Sequence, residues 1–320
     1  MRSSGGLAQR GFTSRTELED LMASMVRLGH TAEPLEVSGP LEDVARALGE
    51  MRPDLVFNLA EGWSGPWRQS AFPELYERLG LPYTGSGPQA LALALDKYRT
   101  KLVLREAGVP TPHAVFLTPG GVATPAGLGA LSYPVIVKPN FESCSKGITS
   151  TSLAHTAQEA ADLAAALLKE YPDGVLAEEY VPGRDITVPY LTAGGGPLPV
   201  AETTMPATAT DGGVFDYDLK QDPARWQHLK VPAPISETLA RRARHLTSLA
   251  FEALGLRDMA RADFRLDPHG ALHLLEVNGL PGLPRDGATH QATVLAGLDP
   301  HDGMAAAIIT SALNRSTPLA

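Results

Sequence analysis

A strand–turn–strand pattern near the C-terminus constrains this chain more than any other segment. Phe264-Arg-Leu266 and Leu272-His-Leu-Leu275 flank the turn-forming run Asp267-Pro-His-Gly270, which reads as a β-hairpin. Such a hairpin can set Asp263 beside Glu276, and it puts Glu276 and Asn278 on one strand face. Three oxygen donors then converge. Hard donors of this kind suit magnesium, which keeps waters and is completed by substrate phosphates. The same residues also read as two solvated acids and a turn asparagine. The run Asn278-Gly-Leu-Pro-Gly282 looks like a positioned loop and weighs against that plainer reading.

The rest of the chain reads as three units around this hairpin. Residues 1–95 are expected to form an α/β domain, with its first strand degenerate or missing, because the first ten residues offer only Leu7-Ala8 as apolar material. Within it, Thr16-Glu-Leu-Glu19 predicts a capping box for a helix over 18–28. Asp54-Leu-Val-Phe-Asn58 predicts a buried parallel strand, and Pro73 to Leu79 a helix ended by Gly80. Residues 96–180 form a central unit. It contains most of a helix over 91–107, a strand at Tyr133-Pro-Val-Ile-Val-Lys138, and a helix capped by Thr156 and Glu159. Residues 181–313 form a C-terminal unit with strands at 186–191 and 272–277 and a helix capped by Ser236. Residues 314–320 read as a frayed tail.

Composition excludes several function classes. With 27 basic and 36 acidic residues the chain has a net charge of -9, which offers no footprint for nucleic acid. No apolar run reaches the about 18 residues of a membrane span, and the N-terminus has no apolar core of a secretory signal. A single cysteine, Cys144, rules out a disulfide within the chain and fits a reducing cytoplasm, where ATP is at hand.

Lys138 closes an apolar strand, an awkward place for a charge without a task. A lysine there can reach a triphosphate as a point charge. The loop Asn140-Phe-Glu-Ser-Cys-Ser-Lys-Gly147 follows, with Ser143, Cys144 and Ser145 small enough to let backbone amides approach phosphate oxygens. It also reads as a plain polar hairpin turn. It is not a Walker loop, and Cys144 has no matched His and acid partner to make it a nucleophile.

Taken together, these segments resemble a known family. Lys138-Pro with its Ser/Gly loop, Leu176-Ala-Glu-Glu-Tyr-Val-Pro-Gly-Arg-Asp185, Arg261-Ala-Asp263 and Leu275-Glu-Val-Asn278 are similar to the ATP-grasp superfamily. Pro82-Tyr-Thr-Gly-Ser-Gly87 with Asp96-Lys-Tyr-Arg-Thr-Lys101 resembles, more narrowly, the D-alanine–D-alanine ligases and their relatives. The resemblance implies an α/β N-terminal domain and two α+β domains gripping ATP. It implies that Lys97 and Lys138 bind phosphates and that Glu178 accepts from the adenine amino group. Glu179, Tyr180 and Val181 would line the adenine pocket, Asp185 would hold the ribose, and Lys220 would meet the γ-phosphate. Asp263, Glu276 and Asn278 would hold two Mg2+ ions, with Mn2+ able to substitute. Arg261, with Lys220, would serve catalysis by stabilising the transition states.

Three departures bear on the substrates. The N-terminal glutamate segment that binds the first D-alanine in those ligases is absent between Met1 and Thr13. Their His-Gly segment is here Asn58-Leu-Ala-Glu-Gly-Trp63, which makes Glu61 a substrate candidate. The loop that meets the second substrate runs through Gly282 and has Gly287 where those ligases have a serine. The expected activity is therefore ATP-driven joining of an amino-acid-like carboxylate to an amine through an acyl phosphate. The alternatives are a cell-wall D-alanine–D-alanine ligase and a non-catalytic ATP-binding protein of the same fold. The partners expected are small molecules, without nucleic acid or membrane, and a second copy of the chain through the N-terminal domain, as in relatives. The stretch from Ala193 to Gly213 reads either as a lid that excludes water or as a plain mobile surface loop.

Overall fold

Local sequence signals set most helix ends. The computed structural model describes residues 14–62, 64–121, 125–204 and 228–316. Helix α1 (Arg15–Arg27) starts at Ser14, whose hydroxyl accepts the Glu17 amide while Glu17 accepts the Ser14 amide. The capping box thus lies two residues before the expected Thr16/Glu19 pair, and Glu19 instead takes Arg15 at 2.8 Å. Helices α2 (Leu41–Met51) and α3 (Ala71–Leu79) follow, and α3 ends on Gly80 in the left-handed region, φ +66°. The strand expected at 54–58 shrinks to a single parallel bridge, Val56 to Tyr83. Among the described residues, backbone bonds from Val56 to Pro82 and from Thr84 to Val56 hold it, and the Asn58 amide donates to the Thr84 hydroxyl in place of a further ladder bond.

The single helix expected over 91–107 is two, α4 (Pro88–Leu95) and α5 (Lys97–Glu106). Asp96 breaks it by adopting extended backbone and capping α5 through the Arg99 amide. Asn140 locks the break: its amide donates to Asp96 at 2.8 Å and its oxygen accepts from the Tyr98 amide. A side chain 42 residues beyond Tyr98 therefore decides a helix boundary.

Two antiparallel sheets carry the remainder. The smaller has β1 (Ala114–Leu117), β2 (Val135–Pro139), β3 (Leu153–Ala154) and β4 (Val175–Glu179), in the order β1-β4-β2-β3. Val135, Val137, Val175 and Ala177 face a core closed by α6 (Pro125–Leu128) and α7 (Ala157–Glu170). Thr156 caps α7 as expected, though Glu159 returns to the His155 amide and not to that of Thr156. The larger sheet has six strands. They are β5 (Arg184–Leu191), β6 (Gly196–Pro197), β7 (Ala201–Thr204), β8 (His228–Lys230), β9 (Met259–Leu266) and β10 (Leu272–Asn278). Its order is β10-β9-β5-β7-β8, with β6 on β5. Up to Thr204 the stretch read as a lid or a surface loop forms β6 and β7; its remainder lies outside the described residues.

Helix α8 (Glu237–Ala253) covers the inner face of the larger sheet with Ala243, Leu246 and Ala250. Ala94 of α4 and Leu104 of α5 join this same core, so the helices on either side of the expected boundary at 95/96 both pack against the C-terminal sheet. Helices α9 (Ala288–Leu295) and α10 (Gly303–Ser316) return the chain to α1, where Leu21, Met259 and Ile308 pack together. No described helix is long and apolar enough to cross a membrane.

Candidate active site

Alternation along β9 sorts its side chains. Ala260, Ala262, Phe264 and Leu266 enter the core, so Arg261, Asp263 and Arg265 take the opposite, cleft-facing side. The neighbour β5 does the same: Ile186 and Val188 are buried, Asp185 pairs with Arg265, and Thr187 pairs with Asp263. On β10 simple alternation fails. Leu272 and Leu274 enter the core, and strict period two would send Glu276 in after them. A β-bulge between Leu274 and Glu276 shifts the register by one, so that Glu276 lies opposite Asp263 and Asn278 opposite Arg261, while Val277 is buried. Bulges re-aim side chains in this way beside functional sites.

The carboxylates carry cations. Arg261 pairs with Asp263 at 2.7 Å, Thr187 donates to Asp263 at 3.0 Å, and the Asn278 amide donates to it at 2.9 Å. Lys97 Nζ lies 3.2 Å from Glu276 and also donates to the carbonyl of Glu142. Burial opposes the charge on Arg261, yet Asp263 and Glu276 hold the guanidinium above its ordinary pKa. Because Lys97 bridges Glu276 and the carbonyl of Glu142, the 140–147 loop faces the hairpin. The side chains of Asp263 and Glu276 are 21% and 28% exposed, open enough to exchange partners.

A second cluster lies on the smaller sheet. Lys138 on β2 pairs with Glu178 on β4 at 2.8 Å, and Lys101 on α5 pairs with the other carboxylate oxygen at 2.6 Å. Glu178 is 2% exposed, so the acceptor expected for adenine is sealed between two lysines, one of them absent from the expected site. Burial pushes Glu178 up, but the lysines outweigh it and hold it below the ordinary carboxylate range. Burial pushes Lys101 down to about 8, against the pull of Glu178.

The other candidates fall around these clusters. Arg265 donates to Asp185 at 2.8 Å, to the Val181 carbonyl at 2.9 Å, and to the Tyr180 hydroxyl, over whose ring it lies. Burial raises Asp185 despite that partner. Tyr180 and Val181 line a cavity of about 370 Å3 with Thr111, His113, Tyr133 and His273. Glu179 also lines it and is held by the Ser132 amide at 2.8 Å. Ser143 accepts from Arg68 at 3.2 Å, and Cys144 and Ser145 both sit at φ +58°, which bends the loop sharply. Arg68, 3% exposed, also donates to the Phe141 carbonyl and lies 3.4 Å from Glu61, whose Oε2 accepts from Gln69. Gly282 lies in the loop after β10, and Gly287 caps α9 in extended backbone. A Cβ at Gly287 would come within 3.1 Å of the Pro284 carbonyl, so a serine there would crowd the loop. Lys220 lies outside the described residues.

Sequence reasoning missed Lys101, Arg68, Thr187 and Arg265. The alternation of Met259–Leu266 points to Arg265, since it shares parity with Asp263. Lys101 stands four residues from Lys97 on one helix face. No local pattern marks Arg68.

The donor set also bears on a metal. Among the described residues no three His, Cys, Asp or Glu side chains cluster as a closed cage. Two facing carboxylates and one amide are what magnesium requires when waters and phosphates complete its shell, so the residues fit that ion.

Two antiparallel sheets flank a cleft of lysines, an arginine and opposed carboxylates, and the matches to known proteins make this an ATP-dependent carboxylate–amine ligase of the ATP-grasp class. Residues 103–309, well over half the chain, match the family model described as D-ala D-ala ligase C-terminus. The chain belongs to that family. It is 35% identical over 263 residues to a D-alanine–D-alanine ligase of Caulobacter sp., covering 82% of this chain and 77% of that one. An uncharacterized protein of Sinorhizobium fredii, y4sG, is 34% identical over 265 residues, with 82% and 74% covered. The crystal structure of the Bacillus anthracis D-alanine–D-alanine ligase complexed with ATP superposes with a TM-score of 0.76 at 21% identity, covering 93% of this chain and 91% of that one.

Proposed function

We propose that this ligase joins two amino-acid-like substrates, and that Asp263, Glu276 and Asn278 hold the magnesium that accompanies ATP. The observation that carries the reading is the bulge on β10, which turns Glu276 out of the core to face Asp263. Magnesium held there would neutralise charge on the phosphates. Lys97 and Lys138 bind the phosphates, with the amides of Ser143, Cys144 and Ser145 against them. Tyr180, Val181 and Glu179 border the adenine, and Asp185 meets the ribose. Lys220 carries the γ-phosphate contact by resemblance alone.

A free carboxylate has no leaving group. Its oxygen attacks the γ-phosphorus, ADP departs, and the acyl phosphate forms. The amine then attacks the acyl carbon, and phosphate leaves with the former carboxylate oxygen. Arg261 is placed to meet the oxyanion of that second step, and positioning with charge neutralisation supplies most of such catalysis. Glu61, Gly282 and Gly287 border the substrates. D-Alanine as both substrates is the second reading, favoured by the family and by relatives of that name.

Phosphate release over a panel of amino acids tests this. Release that requires a carboxylate and an amine together supports the general reading, and release with D-alanine alone supports the narrower one. ATP binding without release for any pair would contradict both.

A further inference from the structure

Lys101 is the most deeply buried cation among the described residues, its side chain 1% exposed. It touches three elements at once. Its ammonium pairs with Glu178 on β4, donates to Thr111 at 3.0 Å, and donates to the carbonyl of Leu275 at 3.3 Å. Leu275 is the residue at the bulge that aims Glu276. A buried lysine this far from water is costly unless something requires its charge.

The charge balance of the cluster supplies the requirement. Glu178 holds Lys138 at 2.8 Å. The reading above needs Lys138 to turn to the nucleotide phosphates. With Lys138 as its only partner, Glu178 would then become an unpaired buried anion, and that cost would be subtracted from nucleotide affinity. With Lys101 fixed beside its second oxygen, Glu178 stays neutralised and its first oxygen is freed.

We propose that Lys101 is a positioning residue that allows Glu178 to release Lys138 to the nucleotide. It does not touch the nucleotide itself; its ammonium is spent on Glu178, Thr111 and Leu275. This proposal rests on the reading of Lys138 as a phosphate ligand.

The test is equilibrium binding of a non-hydrolysable ATP analogue with Mg2+, followed by steady-state kinetics. In Lys101→Met the Kd for the analogue and the KM for ATP rise by about 10- to 100-fold, the scale of one charge-assisted hydrogen bond. The KM for the amino substrate moves by less than about threefold on the same scale. In the Glu178→Gln background no anion is left to neutralise, so adding Lys101→Met there moves the analogue Kd by less than about threefold, a rescue of the loss seen in the single variant. A merely structural lysine would lower thermal stability without this rescue of affinity. A folded Lys101→Met that binds the analogue as wild type does overturns the proposal. Where Lys101→Met does not fold, a double variant with affinity more than about tenfold weaker than Glu178→Gln alone overturns it equally. A Lys138→Met variant that binds the analogue as tightly as wild type contradicts the reading of Lys138, and the role of Lys101 falls with it.

Discussion

The two carboxylate clusters of the cleft are built to opposite specifications. Glu178 on the smaller sheet is 2% exposed and clamped by two lysines, which themselves are 1% and 7% exposed. Asp263 and Glu276 on the larger sheet are more than a fifth exposed, and their cations Arg261 and Lys97 share the cleft with them. The buried cluster keeps Lys101 on Glu178 whichever way Lys138 turns, whereas the open one can exchange a cation for a metal and its phosphates. The smaller sheet therefore supplies an ion pair that stays in place, Glu178 with Lys101, and the larger sheet the exchangeable carboxylates.

The sharpest way to break this contrast is to remove one member of each. Glu276→Ala is expected to cut ligase turnover by about a thousandfold, the scale of several kcal/mol from a metal ligand, with thermal unfolding nearly unmoved. Glu178→Ala is expected to do the reverse in kind. It leaves two buried lysines unpaired, so stability falls by about 3–5 kcal/mol in denaturant unfolding. Equal loss of stability in both variants would erase the distinction.

The pH dependence sharpens it further. Lys101 lies at about 8 when folded, below its ordinary 10.5, so between those values the unfolded chain holds more protons. Its contribution therefore makes stability rise with pH across that window, and Lys101→Met should remove that rise. Glu178, held below its ordinary value, contributes stability present above about 4.5 and lost as pH falls through its folded value. Unfolding midpoints of the two chains from pH 7 to 10.5 check the first statement. The smallest effect belongs to a polar pair with no part in the cleft. Ser14→Ala should cost about 1 kcal/mol of stability while Thr16→Ala stays within about 0.5 kcal/mol, which calorimetry can separate.

How much of this was legible in the sequence differs between the same two regions. The hairpin was readable because turn residues and strand runs are local, and Asp263, Glu276 and Asn278 follow from it. The bulge that makes it work was not readable, because nothing in Leu274-Leu275-Glu276 announces a register shift. The buried cluster was half legible. Lys138 stood out at the end of an apolar strand, but Lys101 meets Glu178 only once α5 packs across β4 and β10. Likewise Asp96 reads as a residue within a helix until Asn140 reaches it. Long-range side-chain bonds, not propensity, decided those elements.

The central claim is that a substrate carboxylate takes the γ-phosphoryl group of ATP in this cleft. Substrate carboxylate labelled with 18O, turned over with ATP and an amine, tests it directly by mass analysis of the phosphate formed. The account predicts that inorganic phosphate carries one labelled oxygen and that ADP accompanies it. Phosphate free of label, or label found in AMP, would contradict it.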